Sequence, residues 1–379
     1  MVIIMKKKKI IVIGGGYGGT EVIRQLLMRG IRNVEVELVS NKTHFENTIV
    51  GAELISEKTK PGELKYDLKE LSNYWNFELT IGSVENFDLN EKILKMGKVE
   101  KDYDVLVVAA GSEPNFYNVE GANLAYSAYH LSDFIIINEK LKQLNLNIAN
   151  VIVAGAGFVG LEVAAEILDL FKAIKKEVNI TVVEKMSTVL PSYNNLSARK
   201  LALEYFTSRG VKFILGKGVK AIEKGKLILE DGSNVENDLT IWTAGVKGRM
   251  VPSQIVGGNL HRGCIEVDDR LLIKGKEDAF AIGDVAYVRI NEKEAAKLAA
   301  EALVQAKTAA KNIGLIAKSQ KPKILYTVNY TTDYPEAVLS MGEGKAMLIF
   351  GQEYVSTGPA EYFLKKIVDF QEVMDRFPQ

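Results

Sequence analysis

Apolar and polar positions in this chain alternate in blocks: short β-branched runs, then glycine loops, then stretches with apolar residues at helical spacing. Ile10-Ile-Val-Ile13 predicts a strand that feeds Gly14-Gly-Gly16-Tyr-Gly-Gly19. The helix behind it runs through Glu21 to Met28 and stops at Gly30, and Val34 to Val39 predicts the next strand. The same succession returns at Val151-Ile-Val-Ala-Gly155-Ala-Gly157-Phe-Val-Gly160-Leu-Glu162, followed by a strand from Asn179 that ends in Glu184.

Each part of that succession has a mechanical role in a dinucleotide-binding βαβ unit. Gly155 permits the tight turn, Gly157 lets the backbone approach a pyrophosphate, and Gly160 lets helix and strand pack closely. The helix N-terminus meets the phosphate charge. Glu184 is placed to hold ribose hydroxyls. A glycine-rich structural turn is the bland alternative, but strand, loop, helix and terminal acid occur together here. Two such units in one chain imply two dinucleotides held against each other, which suits hydride transfer between a nicotinamide and a flavin. At the first unit the acid is replaced by Ser40, followed by Asn41 and Lys42. A hydroxyl there still hydrogen-bonds, without charge-assisted strength.

Other blocks fill in the frame. Phe77 to Val84 and Ile93-Leu94 have strand and hairpin character, and Val84 is positioned to offer its backbone to an adenine edge. Val105 to Ala110 lacks polar alternation, which predicts a strand buried on both faces ending at Gly111; a core strand closed by a Gly-Ser-x-Pro turn reads the same. Leu239-Thr-Ile-Trp242-Thr-Ala-Gly245 repeats that ending. Residues 118–150 read as a connector with helical content, and a helix from Asn195 closes at Gly210. Strands are expected at 211–215, 219–223 and 226–230, with a turn at Asp231-Gly232. Ala279-Phe-Ala-Ile-Gly283-Asp284 delivers an aspartate suited to a ribityl hydroxyl, against the plainer reading of a helix cap. An alanine-rich helix is expected from Glu292 to Ile313, with Glu301 and Gln305 on one face. Over 360–377, Phe363, Ile367, Phe370, Met374 and Phe377 form an apolar stripe, with Lys365, Lys366, Asp369, Glu372, Asp375 and Arg376 off it. On periodicity such a stripe is core or a dimer contact more often than a membrane anchor.

Composition narrows the chemistry. With 48 basic and 48 acidic residues the net charge is zero, so no electrostatic footprint points to nucleic acid. No apolar run approaches the roughly 20 residues that span a bilayer. Lys6 to Lys9 read as a solvated edge rather than a signal sequence, because the apolar run behind them leads straight into the glycine loop. The single cysteine, Cys264, excludes a CxxC pair and reads as a small buried hydrophobe on a strand away from the flavin. Three scattered histidines give no metal-ligand spacing, and no metal is expected.

These motifs resemble type II NADH dehydrogenases, the single-subunit NADH:quinone oxidoreductases within the two-dinucleotide flavoproteins. The resemblance runs from Ile10 to about Gly351 and rests on Gly-Gly-Gly-Tyr-Gly-Gly (14–19), Gly-Ser-x-x-Asn-Phe (111–116), Gly-Ala-Gly-Phe-Val-Gly-Leu-Glu (155–162), Val-Glu-x-x-x-x-Val-Leu-Pro (183–191), Trp-Thr-Ala-Gly-Val (242–246) and Ala-Ile-Gly-Asp-Val-Ala (281–286). It implies an α/β fold: two three-layer, Rossmann-like dinucleotide-binding domains and a C-terminal α/β region with an amphipathic helix. The implied boundaries are 1–117 with 252–325 for FAD, 118–251 for NADH, and 326–379 facing a membrane or a second copy.

FAD is implied on Gly14, Gly16, Tyr17, Gly18 and Gly19, with Ala110, Gly111, Gly283 and Asp284. Ser40, Lys42, Val84, Lys297 and Ala300 are expected as further cofactor contacts. NADH is implied on Gly155, Gly157, Phe158, Val159 and Gly160, with Glu184, Ala244 and Gly245. Glu162 is expected to position NADH, and Glu301 with Gln305 to bind quinone and relay its protons; Glu301 stands where the family has glutamine. The resemblance also implies a peripheral protein on the cytoplasmic face of the membrane, held by 360–377, often as a homodimer. Rival readings are a soluble FAD-dependent NAD(P)H reductase or oxidase, a relative of the sulfide:quinone oxidoreductases lacking their cysteines, and a silent NADH-binding sensor.

Overall fold

Two parallel sheets of five strands each form the frame. The computed structural model describes residues 7–144, 146–250, 254–331, 333–374 and 376–377, with Glu372 described by its backbone alone. Lys6, Asp375, the Glu372 side chain and the expected domain join at 251–252 lie outside the described residues.

In the first sheet the strands run in the order Ala279–Ala281, Val105–Val108, Lys8–Ile13, Val34–Ser40, Glu78–Ile81. In the second the order is Tyr126–Ser127, Leu239–Trp242, Ile148–Ala154, Glu177–Glu184, Lys212–Leu215. Every pairing in both is parallel. Val105–Val108 and Leu239–Trp242 are buried along their whole length, and in the second sheet one face packs on antiparallel strands, with Ile152, Ala154, Val183 and Trp242 against Ile222, Leu227 and Leu229. The whole second sheet is inserted between the Val105–Val108 strand of the first and its last strand. Helices Tyr17–Met28 and Phe158–Ala173 follow the two glycine loops.

The matching Ala-Gly strand endings lead into a shared element. Ser112–Pro114 pairs antiparallel with Val246–Gly248, so the chain leaving one sheet hydrogen-bonds to the chain leaving the other. Trp242 reinforces the join, its indole N–H donating to the Asn115 carbonyl at 2.8 Å. Beyond the sheets, Glu336–Gly342, Lys345–Phe350 and Tyr354–Gly358 form an antiparallel meander on which helix Pro359–Met374 packs. Among the described residues no helix is long and apolar enough to cross a membrane.

Two expectations need correction. The alanine-rich helix spans Ala299–Ala317, not 292–313. Its expected first turn is instead drawn into a small hairpin with Arg289–Ile290, and the Ala295 and Ala296 amides donate to Val288 and Tyr330 carbonyls. Helix propensity yields there to backbone bonds made elsewhere. Lys8 and Lys9 belong to the first strand and are half-buried, because the Val34–Ser40 strand extends alongside them.

The C-terminal helix keeps the expected period, and its stripe is divided: Phe363, Ile367 and Phe370 are exposed, at 67%, 44% and 61%, while Met374 is half-buried. Lys365, Asp369 and Arg376 are buried instead, together with Val373 and Phe377. Partners explain this: Lys365 pairs with Glu162 and Asp369, and Arg376 lies 3.7 Å from Glu21 and over the Tyr17 ring. A buried charge persists only with such partners.

Candidate active site

The crossing strand shapes each glycine loop. Gly155 has φ +114°, and an added Cβ would lie 2.9 Å from the Ala244 nitrogen; Gly14, at φ +109°, would meet the Ala109 carbonyl oxygen at 2.3 Å. Such a turn excludes other residues. A Cβ on Gly160 would come within 2.0 Å of the Gly155 carbonyl oxygen, and one on Gly19 within 1.9 Å of the Gly14 oxygen. The middle glycines behave oppositely: a Cβ on Gly157 or Gly16 meets nothing within 4 Å. There the backbone is bare toward open space at a helix N-terminus, the arrangement that accepts a diphosphate. The residues present therefore fit a dinucleotide at both loops.

Glu184 ends its strand almost fully buried, accepting from the Ala156 amide and the Met186 amide, each at 2.8 Å. Its carboxylate is thus fixed against the glycine loop. Phe158 begins the helix and its ring tilts onto Tyr193, while Val159 beside it is exposed. Gly245, at φ +127°, accepts from the Asn115 amide at 3.0 Å.

At the first loop, Ser40 is turned onto its own bend, donating to the Lys42 carbonyl at 2.8 Å and accepting from the Lys42 amide at 3.1 Å. The Lys42 ammonium goes to Glu46 at 2.6 Å. The Tyr17 hydroxyl donates to Asn47 at 2.7 Å, and Gly18 packs near Ile282 and Ala302. Ala110 and Val84 pack against the first core, half-buried.

The Gly283-Asp284 segment is a 3-10 turn, and Asp284 caps no helix. Its carboxylate accepts from the Ser112 hydroxyl at 2.7 Å, and Ser112 also bonds the Tyr129 hydroxyl at 2.6 Å. Burial pushes the Tyr129 phenol pKa up, with Asp284 adding to it. The Lys297 ammonium donates to the Asp284 carbonyl at 2.5 Å and lies 3.4 Å from the Cys264 sulfur. Cys264 is therefore buried as expected but not distant. Its strand pairs with Ala286–Tyr287, which brings it beside the Gly283-Asp284 turn.

Glu301 and Gln305 do share a face, but that face is buried in protein. Gln305 accepts from the Gly283 amide at 2.7 Å. Glu301 accepts from the Tyr330 and Asn329 amides at 2.8 and 3.3 Å, and burial raises its pKa. Ala300 is half-buried in the same first turn.

Glu162 points toward the C-terminal meander, where it accepts from the Ser340 amide at 2.9 Å and faces Lys365 at 3.7 Å. Burial pushes its carboxyl up to about 7, against the pull of Lys365 and the Ser340 amide. Sequence reasoning missed Lys365 in this role, and it missed Glu53, which is 2% exposed and held by Lys366, Thr59 and Tyr362. The only hint was the i, i+4 spacing of Lys365 and Asp369. Alongside lies an open cavity of about 450 Å³ lined by Asn47, Val50, Leu64, Tyr66, Ile367 and Phe370 among others.

Comparison with known proteins agrees with this frame. The family model for pyridine nucleotide-disulphide oxidoreductases matches residues 8–306. The type II NADH:quinone oxidoreductase of Staphylococcus epidermidis is 25% identical over 385 residues, covering 94% of this chain and 93% of that protein. Two solved structures share the fold. The sulfide:quinone oxidoreductase of Aquifex aeolicus has a TM-score of 0.83 at 20% identity, covering 97% of this chain and 91% of its own. NDH2 from Plasmodium falciparum in complex with NADH has a TM-score of 0.82 at 17% identity, covering 98% of both chains.

Proposed function

We propose that this chain, which belongs to the pyridine nucleotide-disulphide oxidoreductase family, oxidises NADH by way of a bound FAD and reduces a quinone at a membrane surface. Family membership and the similarity to type II NADH:quinone oxidoreductases make it an oxidoreductase. The observation that carries the finer reading is the pair of matched glycine cradles, whose crossing strands run into one shared ribbon.

Under this reading residues 1–117 and 252–325 hold FAD, 118–251 hold NADH, and 326–379 face the membrane or a second copy. FAD, when bound, supplies the two-electron chemistry that links nicotinamide to quinone. The protein contributes orientation. Gly14, Gly16 and Gly19 admit one diphosphate, and Gly155, Gly157 and Gly160 the other. Glu184 holds the NADH ribose hydroxyls, and Asp284 with Ser112 offers polar contacts to the flavin side. Gln305 and Glu301 act as positioning residues, one fixing the Gly283 amide and the other the 329–330 segment. Glu162, poised near neutrality, is suited to hold and release a proton beside the acceptor. The apolar cavity beside Ile367 and Phe370 suits a quinone, and exposed Phe363, Ile367 and Phe370 suit the cytoplasmic membrane surface.

The test is spectroscopic. Purified protein should be yellow, should bleach on anaerobic NADH addition, and should regain its colour with a short-chain quinone. A protein unable to take up flavin sinks the proposal. A flavin reoxidised by oxygen or ferredoxin but not by quinone assigns it to the soluble reductases, and one that never bleaches assigns it to NADH sensing.

A further inference from the structure

Discrimination between NADH and NADPH is decided at the adenosine ribose. A carboxylate at the end of the second strand favours free hydroxyls, and a cation just beyond it accommodates a 2′-phosphate. This chain carries both, as Glu184 and Lys185. The inference below rests on the NADH reading of the second glycine loop and deepens it.

The structure removes the ambiguity, because the Lys185 ammonium is already engaged. It donates to the Glu230 carboxylate at 2.8 Å. Glu230 stands at the turn between strands Lys226–Leu229 and Asn234–Glu236, and its amide donates to the Gly218 carbonyl at 2.9 Å. Gly218 makes room for the reach: an added Cβ would lie 2.6 Å from the Glu230 carboxyl carbon. The neighbouring cation, Lys217, is likewise paired with Asp231 at 2.6 Å. The Lys217 amide donates to the Glu184 carbonyl at 3.1 Å, and the Gly216 amide to the Met186 carbonyl at 2.9 Å. The acidic hairpin turn and the ribose-binding strand end are thereby joined.

We infer that Glu230 is a specificity-determining residue, a clamp that withholds Lys185 from the 2′-phosphate of NADPH. Glu184, Glu230 and Asp231 outnumber Lys185 and Lys217 at this rim, so a further phosphate meets net negative charge and no unpaired cation among these five. Exposed pairs of this kind add little to stability. Selectivity needs little: about 1 kcal/mol, the upper end for an exposed pair, corresponds to about a fivefold preference.

The test measures binding of NAD⁺ and NADP⁺ to the oxidised holoenzyme by calorimetry. Glu230→Gln should shift the affinity ratio toward NADP⁺ about fivefold. Gly218→Ala should give roughly a threefold shift in the same direction, since its methyl displaces the far end of a flexible side chain without changing any charge. Adding Lys185→Gln to Glu230→Gln should abolish the gain. An unchanged ratio in Glu230→Gln overturns the inference, as does a gain that survives the loss of Lys185. Wild-type protein that binds neither nucleotide refutes the NADH site itself, and is told apart by the absence of any heat of binding.

Discussion

Lys365 of the C-terminal helix faces Glu162 of the glycine-loop helix at 3.7 Å, and both side chains are almost fully buried. The contact ties the last helix of the chain to the helix that opens the second nucleotide loop. It also sets how stability responds to pH. The Glu162 carboxyl rises from its ordinary value to about 7 because burial outweighs Lys365 and the Ser340 amide. A carboxyl raised in the fold binds its proton there while the unfolded chain has released it, so this group's contribution falls as pH rises from about 4.5 to about 7. The loss is on the order of 3 kcal/mol. Glu162→Gln should flatten that slope in denaturant titrations across this range, and should remove any inflection near pH 7 from quinone turnover. A slope that Glu162→Gln leaves unaltered would show that another group titrates there.

Gly157 and Gly160 should respond differently to substitution. Space around Gly157 is open, so Gly157→Val should fold with a normal melting temperature and lose NAD⁺ binding. At Gly160 an added Cβ lies 2.0 Å from the Gly155 carbonyl oxygen, so Gly160→Val should lower the melting temperature as well. Calorimetry and thermal melts together check the contrast.

Glu301→Ala leaves the Tyr330 and Asn329 amides without their acceptor. Both bonds are part-buried, with Asn329 exposed and Tyr330 half-buried, so a modestly lower denaturation midpoint is expected, on the order of 1 kcal/mol in all. Gln305→Leu frees the Gly283 amide and should reduce flavin retained through gel filtration. Retention equal to wild type would remove Gln305 from the positioning of that turn.

Phe363, Ile367 and Phe370 are exposed, so replacing all three with serine should leave the melting temperature within a few degrees of wild type. Co-sedimentation with anionic lipid vesicles should drop at least tenfold, since each buried aromatic or aliphatic side chain is worth about 1.5–3 kcal/mol. If vesicle binding persists and a dimer seen by sedimentation velocity is lost, the stripe is an interface between copies.

Much of the frame was legible in the residues. Val105 to Val108 reads as a doubly buried strand because it has no polar position, and it is one. The glycines announce their turns because tight backbone crossing tolerates nothing larger, and the loops at Gly14 and Gly155 have matching geometry. Contacts between distant segments were not legible. Cys264 reads as remote until its pairing with Ala286–Tyr287 sets it beside Lys297. The helix expected from Glu292 loses its first turn to backbone partners at Val288 and Tyr330.

The sequence by itself determined local matters: the two strand-loop-helix units, the acid at Glu184, and the period of the C-terminal helix. Each is fixed by neighbours a few residues apart, through backbone geometry and side-chain spacing. Only the tertiary structure decided which side of that helix faces inward, because spacing defines a stripe but not what lies against it. Lys365 and Asp369 turn inward since Glu162 is there to meet Lys365, and the phenylalanines are left outside. The same holds for Lys185, whose charge reads as free until the fold places Glu230 beside it.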